Sequence, residues 1–110
     1  MRNRPTDSDL ANARAEIGSG GLATVVRLRG AWTYKNLSQL RERFVTAAEL
    51  QDDIRLDMGG LTHVDSAFVG LLALLDAQLK RDCKKLQFCS VPESVRRVMK
   101  YCCAEYLASA

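Results

Sequence analysis

The chain has 110 residues, of which 47% are hydrophobic, and its 16 Lys and Arg against 13 Asp and Glu give a net charge of +3. This is the length of a single domain with a substantial core, which excludes a disordered chain. The small net charge, the dispersed basic residues and the 6% aromatic content argue against a nucleic-acid-binding surface.

Targeting segments and metal sites are not expected. The longest uncharged apolar run, residues 66–75, is far short of the ~20 residues that span a bilayer. The amino-terminal segment lacks the apolar stretch of a signal peptide, so we expect no membrane insertion and a cytoplasmic location. The four cysteines, Cys83, Cys89, Cys102 and Cys103, form no Cys-x-x-Cys pair, and His63 is the only histidine. We therefore expect reduced thiols and neither a metal nor another cofactor.

The first twenty residues differ from the remainder of the chain. They contain Pro5 and lead into a Gly-Ser-Gly-Gly run at 18–21. This composition predicts a flexible N-terminal tail over residues 1–20, with room for a short strand at 14–17. Residues 21–110 contain no internal repeat and are predicted to form one domain.

Strands and helices alternate through this predicted domain. The predicted strands are residues 23–28, 53–58 and 85–89. The predicted helices follow the capping residues Asn36, Asp65 and Ser90. Gln39 would complete a capping box with Asn36, and Gly59 and Gly60 are expected to end the second strand. This order of elements predicts an α/β domain with a largely parallel sheet and covering helices.

The known enzyme motifs are absent, since the sequence has no phosphate-binding glycine loop and no Gly-x-Ser-x-Gly elbow. His63, Asp65 and Ser66 could be imagined as a hydrolase trio. His63 and Asp65 lie on the same strand end, however, and nothing supplies an obvious oxyanion hole. A small hydrolase is therefore the weakest of the functional hypotheses.

The predicted helix after Asp65 carries two different faces. Its core face, at helical spacing, consists of Phe68, Leu71, Leu72, Leu75 and Leu79. Its opposite face is a stripe of small residues with two flanking apolar side chains: Ser66, Gly70, Ala73 and Ala77, flanked by Val69 and Leu74. A solvated helix face normally carries Lys and Glu. Either a second layer or the tail covers this stripe, or it is a partner interface, which is the interpretation that we prefer.

Ser66 begins this stripe as the first residue of the helix that Asp65 caps. The free N–H groups and the dipole at a helix start favour an anion, so a phosphate on Ser66 could be held there. The same charge beside Asp65, inside a neutral docking surface, would oppose binding. From residue type alone, however, Ser66 is only a capping hydroxyl.

Residues 56–72, Leu-Asp-Met-Gly-Gly-Leu-Thr-His-Val-Asp-Ser-Ala-Phe-Val-Gly-Leu-Leu, resemble the STAS domain family of anti-sigma factor antagonists and their relatives. Residues 27–30 and 86–98 are similar to further parts of that family. The resemblance implies a single STAS-type domain with a four- to five-stranded, mostly parallel sheet, three to four helices and no enzymatic activity. It also implies that a partner kinase phosphorylates Ser66, with Asp65 and Asp57 as acidic neighbours.

Two departures from the family pattern keep a second hypothesis open. Ala67 and Phe68 follow Asp65-Ser66 where phosphorylated members usually have Ser-Gly or Ala-Gly. The segment Gly-Ala-Trp-Thr at 30–33 is similar to STAS domains of lipid-transport permeases or polysaccharide-synthesis glycosyltransferases, where the domain is an accessory module that docks without a phospho-switch. The leading hypothesis is a phospho-switched anti-sigma factor antagonist, whose partner is an anti-sigma factor, a serine kinase or another regulatory protein. A homodimer is a further option.

Overall fold

A computed structural model describes residues 10–21, 23–50 and 52–108 of the chain. The strands are β1 (Arg14–Gly20), β2 (Ala23–Trp32), β3 (Asp53–Val64) and β4 (Leu86–Cys89). The helices are α1 (Leu37–Glu49), α2 (Ser66–Arg81), α3 (Glu93–Tyr101) and α4 (Glu105–Ala108). Within the described residues the sheet has four strands in the order β1–β2–β3–β4. The predicted α/β class with a mostly parallel sheet is confirmed.

The sheet buries one of its faces under the helices. Along β2 and β3, alternate residues such as Val26, Leu28, Leu56 and Met58 are buried, because successive strand side chains point to opposite faces. Phe68 and Leu72 of α2 are fully buried in the same core. The predicted register of α2 on the sheet is therefore confirmed, and its start is fixed at the end of β3.

The amino-terminal strand belongs to the sheet. β1 pairs antiparallel with β2, from Arg14 opposite Arg29 to Gly20 opposite Ala23. Residues 14–20 of the predicted tail are thus held by a ladder of backbone hydrogen bonds, and the short strand predicted at 14–17 lies within β1. Residues 1–9 lie outside the described residues.

The second predicted strand is longer than expected. Gly59 and Gly60 do not end it, because β3 continues to Val64 while pairing with β2. The ladder shifts register twice, between Arg27 and Arg29 and between Gly30 and Ala31, so β3 holds extra residues there. At Gly60 an added Cβ would lie 2.8 Å from Cγ of Arg29, so glycine allows this close approach.

Two predicted helix starts use different interactions from those expected. The Asn36 side chain makes no capping bond to α1, so the predicted capping box does not form. Instead its Oδ1 accepts from the backbone N–H of Thr33 at 2.9 Å and its Nδ2 donates to the Ala31 carbonyl at 3.0 Å. The third helix begins after Pro92 rather than at a Ser90 cap. Among the described helices, none is long and apolar enough to cross a membrane.

We predict that Gly30→Ala destabilises the domain by about 2 kcal/mol or more. Gly30 has φ +85°, and an added Cβ would lie 2.9 Å from the Ala13 Cα. Urea unfolding would measure the loss. Gly18→Ala is the matched control, because an added Cβ there meets nothing within 4 Å. Equal stability of the two variants would contradict the close packing of residue 30 against the segment before β1.

Candidate functional site

The start of α2 is organised by one carboxylate. Asp65 has extended backbone geometry, and its Oδ1 accepts a hydrogen bond from the backbone N–H of Phe68 at 3.0 Å. Its Oδ2 accepts from the backbone N–H of Tyr34, in the loop between β2 and α1, at 2.9 Å. The predicted cap is therefore confirmed, and the same side chain also ties a loop 31 residues away in sequence to the helix.

Ser66 is the exposed first residue of α2. The first N–H groups of a helix have no partner within the helix, and the dipole adds partial positive charge there. The first turn of α2 contains no acidic residue. The hydroxyl is thus accessible from solvent at a position that tolerates added negative charge, with the Asp65 carboxylate one residue away.

Asp57 does not belong to this cluster. Its Oδ1 accepts from the backbone N–H of Gly59 at 3.0 Å, and its Oδ2 lies 3.9 Å from Nε of Arg27 across the ladder. Asp57 is in the middle of β3, and eight residues of strand span roughly 20 Å or more. The prediction that Asp57 is an acidic neighbour of Ser66 is therefore wrong, because β3 runs on past the two glycines.

The imagined hydrolase trio is not assembled. His63 Nδ1 lies 3.2 Å from Oγ1 of its neighbour Thr62. Both oxygens of Asp65 are engaged by backbone N–H groups of Phe68 and Tyr34. Among the hydrogen bonds of the described residues, none joins His63 to Ser66 or to Asp65, so no base is oriented toward the hydroxyl.

Only some residues of the predicted interface on α2 are exposed to solvent. Gly70 and Ala77 are exposed, an added Cβ at Gly70 would meet nothing within 4 Å, and Leu74 is 69% exposed. Ala73 is half-buried and packs against the core. Val69 is only 2% exposed, so its assignment to the interface is wrong. More of the circumference of α2 is buried than contact with the sheet alone would bury, because α1 and α3 also pack against it.

A groove runs between α1 and α2 beside this surface. It has a volume of about 1060 Å³, and residues from both helices line it, among them Leu37, Arg41, Val45, Ala67, Gly70 and Leu74. The side of the groove formed by α1 was not predicted. The available signal was Val45, an apolar residue that lies off the buried stripe of α1 and is 53% exposed.

Metal ligation has no support in the part of the chain that the structure describes. Those residues contain no group of three or more His, Cys, Asp or Glu side chains that could hold a metal ion.

Tyr34 is the other contributor to the site that the sequence did not predict. Its contact with Asp65 depends on tertiary structure, so no local pattern could have revealed it.

The fold and the site together define an α/β domain in which Ser66, at the capped start of α2, lies next to an exposed helix face. Comparison with known families is consistent with this description, since the family model described as "Mlab, STAS domain" matches residues 16–104. The chain belongs to the STAS domain family. No match to a curated protein reaches significance.

Solved structures share this fold at low sequence identity. SpoIIAA, an anti-sigma factor antagonist in its unphosphorylated form, matches with a TM-score of 0.72 and 20% identity over 86% of this chain and 85% of its own. The phosphorylated form of SpoIIAA, a Bacillus cell fate determinant, matches with a TM-score of 0.67 and 18% identity, over 86% and 88%. An anti-sigma-factor antagonist (STAS) domain protein from Planctomyces limnophilus matches with a TM-score of 0.74 and 18% identity, over 86% of each chain.

We predict opposite outcomes for two neighbouring substitutions in α2. Val69→Glu would bury an unpaired charge, and we expect it to destabilise the domain by more than about 4 kcal/mol or prevent folding. Gly70→Glu replaces an exposed helical glycine, so we expect a change within about 1 kcal/mol, in the stabilising direction. Circular dichroism during thermal unfolding would measure both. Unfolding of the Gly70→Glu variant would show that residue 70 is part of the core.

Proposed function

We propose that this chain is a non-enzymatic regulatory domain of the anti-sigma factor antagonist type, acting in the cytoplasm. In the unphosphorylated state it binds a partner protein through Ser66 and the exposed face of α2. Phosphorylation of Ser66 releases the partner. The partner is an anti-sigma factor with serine kinase activity or another regulatory protein.

The observation that carries this proposal is the continuity of Ser66 with an uncharged surface. Ser66, Gly70 and Ala77 are all exposed on α2, and the largely exposed Leu74 lies among them. A solvated helix face would carry charged side chains, whereas this one offers small and apolar groups. The groove between α1 and α2 extends the apolar surface next to Gly70 and gives a partner side chain a place to bind.

The chemistry of the site supports a switch. A phosphate adds about two negative charges and would stand at the start of α2, where the helix dipole stabilises it in the free domain. When a partner covers the site, the same charge loses its water beside the Asp65 carboxylate. Phosphorylation would therefore cost little in the free chain and much in the complex. One structural relative, SpoIIAA, has been solved in both phosphorylation states.

A second candidate is an accessory module of a lipid-transport or envelope-polysaccharide system, which docks through the same face without phosphorylation. It is favoured by the resemblance of Gly-Ala-Trp-Thr at 30–33 to STAS domains of such systems. In the structure Trp32 of this segment is buried, and its Nε1 donates to the Arg29 carbonyl at 3.2 Å. The two candidates differ in one respect that can be measured, because only the first requires that charge at residue 66 controls binding.

We expect Ser66→Ala to retain partner binding and Ser66→Asp to weaken it. The partner would first be captured from native cells with the Ser66→Ala chain and then purified. Titration calorimetry with that protein would compare the two variants, and mass spectrometry of the native chain would detect phosphate on Ser66. Equal affinities would remove the switch and leave the accessory module as the better candidate.

Gly70→Glu tests the docking surface independently of the switch. In the complex the Glu charge would be buried without an opposite charge beside it, so we expect binding to weaken at least about tenfold while the domain stays folded. Arg43→Glu is the matched control, because it introduces the same side chain at an exposed position of α1 that does not line the groove between the two helices. Undiminished binding by the Gly70→Glu variant would remove this face of α2 from the interface.

A further inference from the structure

Tyr34 is presented to solvent from a loop that is itself well fixed. The residue is 72% exposed, although its backbone N–H donates to Oδ2 of Asp65 at 2.9 Å. Asn36, which is buried, holds the two ends of the turn through its bonds to the Thr33 N–H and the Ala31 carbonyl. An aromatic residue on a preorganised loop loses little entropy on binding and is typical of interface hot spots.

This loop continues directly into the surface described above. Three residues after Tyr34, Leu37 begins α1 and lines the groove together with Ala67 and Gly70 of α2. Asp65, which directly precedes Ser66, accepts the hydrogen bond from the Tyr34 N–H. The exposed ring, the serine and the groove therefore lie along one stretch of surface.

We infer that Tyr34 is a contact residue of the Ser66 docking surface and that Asp65 is the residue that positions it in response to phosphorylation. This inference rests on the function proposed above. The occupant is a regulatory protein that offers an apolar pocket to the Tyr34 ring.

The coupling follows from the two hydrogen bonds of a single carboxylate. A phosphate on Ser66 would bring about two negative charges next to Asp65. It would repel the carboxylate and compete with it for the Phe68 N–H at the start of α2. The bond from Tyr34 to Oδ2 lies at the exposed end of this arrangement, and its loss would release the Tyr34 backbone, which the bonds of Asn36 to Ala31 and Thr33 do not hold. Phosphorylation would thus remove an aromatic contact as well as add a charge.

Amide hydrogen exchange, followed by NMR on the full chain without any partner, tests the coupling. The unmodified chain would be compared with the chain carrying phosphoserine at position 66 and with Asp65→Asn, whose side chain keeps one acceptor oxygen instead of two. We expect the Tyr34 amide to exchange about tenfold faster in the phosphorylated chain, as loss of a hydrogen bond to a charged group implies. In Asp65→Asn, the Tyr34 or the Phe68 amide should lose protection.

Asp57→Asn is the matched control, because Asp57 also accepts a backbone N–H but does not contact the loop. It should leave Tyr34 exchange unchanged. A Tyr34 amide that exchanges at the same rate in the unmodified and phosphorylated chains would overturn the inference, whether or not a kinase acts on Ser66 in the cell.

Binding of the captured partner separates this inference from the proposed function. Tyr34→Ala should weaken binding about 30-fold, the loss typical of an interface hot spot. If the Ser66 variants bind differently while Tyr34→Ala binds like the unmodified chain, the inference fails and the proposed switch stands. If Tyr34→Ala weakens binding while the two Ser66 variants bind equally, the switch fails and Tyr34 remains a contact residue.

Discussion

The site depends on the Asp65 carboxylate, whose two oxygens accept hydrogen bonds from two different backbone amides. One oxygen starts α2 by satisfying the Phe68 N–H, and the other holds the Tyr34 N–H of the preceding loop. A serine or threonine cap has one hydroxyl oxygen, whereas the Asp65 carboxylate presents two acceptor oxygens, one to each N–H group. This side chain therefore ties Ser66 to the β2–α1 loop just beyond the Trp32–Val64 pair at the end of the β2–β3 ladder.

Local spacing made part of this arrangement predictable. Asp65 and Phe68 are three residues apart, which is the spacing of a helix cap, and the apolar repeat after them identifies the helix and its core face. β-Branched and apolar residues predict the strand at 23–28, and apolar residues at alternate positions predict the strands at 53–58 and 85–89. In each case the evidence lies within a few residues of the element that it predicts.

The sequence predictions that the structure contradicts concern residues whose tertiary contacts outweigh their local structural preference. Gly59 and Gly60 predict the end of a strand, but β3 continues past them to Val64 because it pairs with β2. Asn36 read as a helix cap, but its amide is used to close the turn at Thr33. The sequence places Val69 beside the stripe of small residues on the opposite face, but it is buried because α2 has helices on its flanks as well as the sheet beneath it. None of these contacts leaves a periodic trace in the sequence.

The register shifts in β3 have a consequence for how such domains diverge. Strand side chains alternate between faces, so a single insertion or deletion reverses the direction of every later side chain. Between Arg27 and Ala31 of β2, β3 takes two residues more than its partner, from Asp57 to His63. A deletion of one residue at this glycine pair would leave the covered face of β3 intact up to Met58 while turning Asp65 away from Tyr34. A length change at this point would thus move Ser66 relative to the loop between β2 and α1 while the first half of β3 keeps its place in the core.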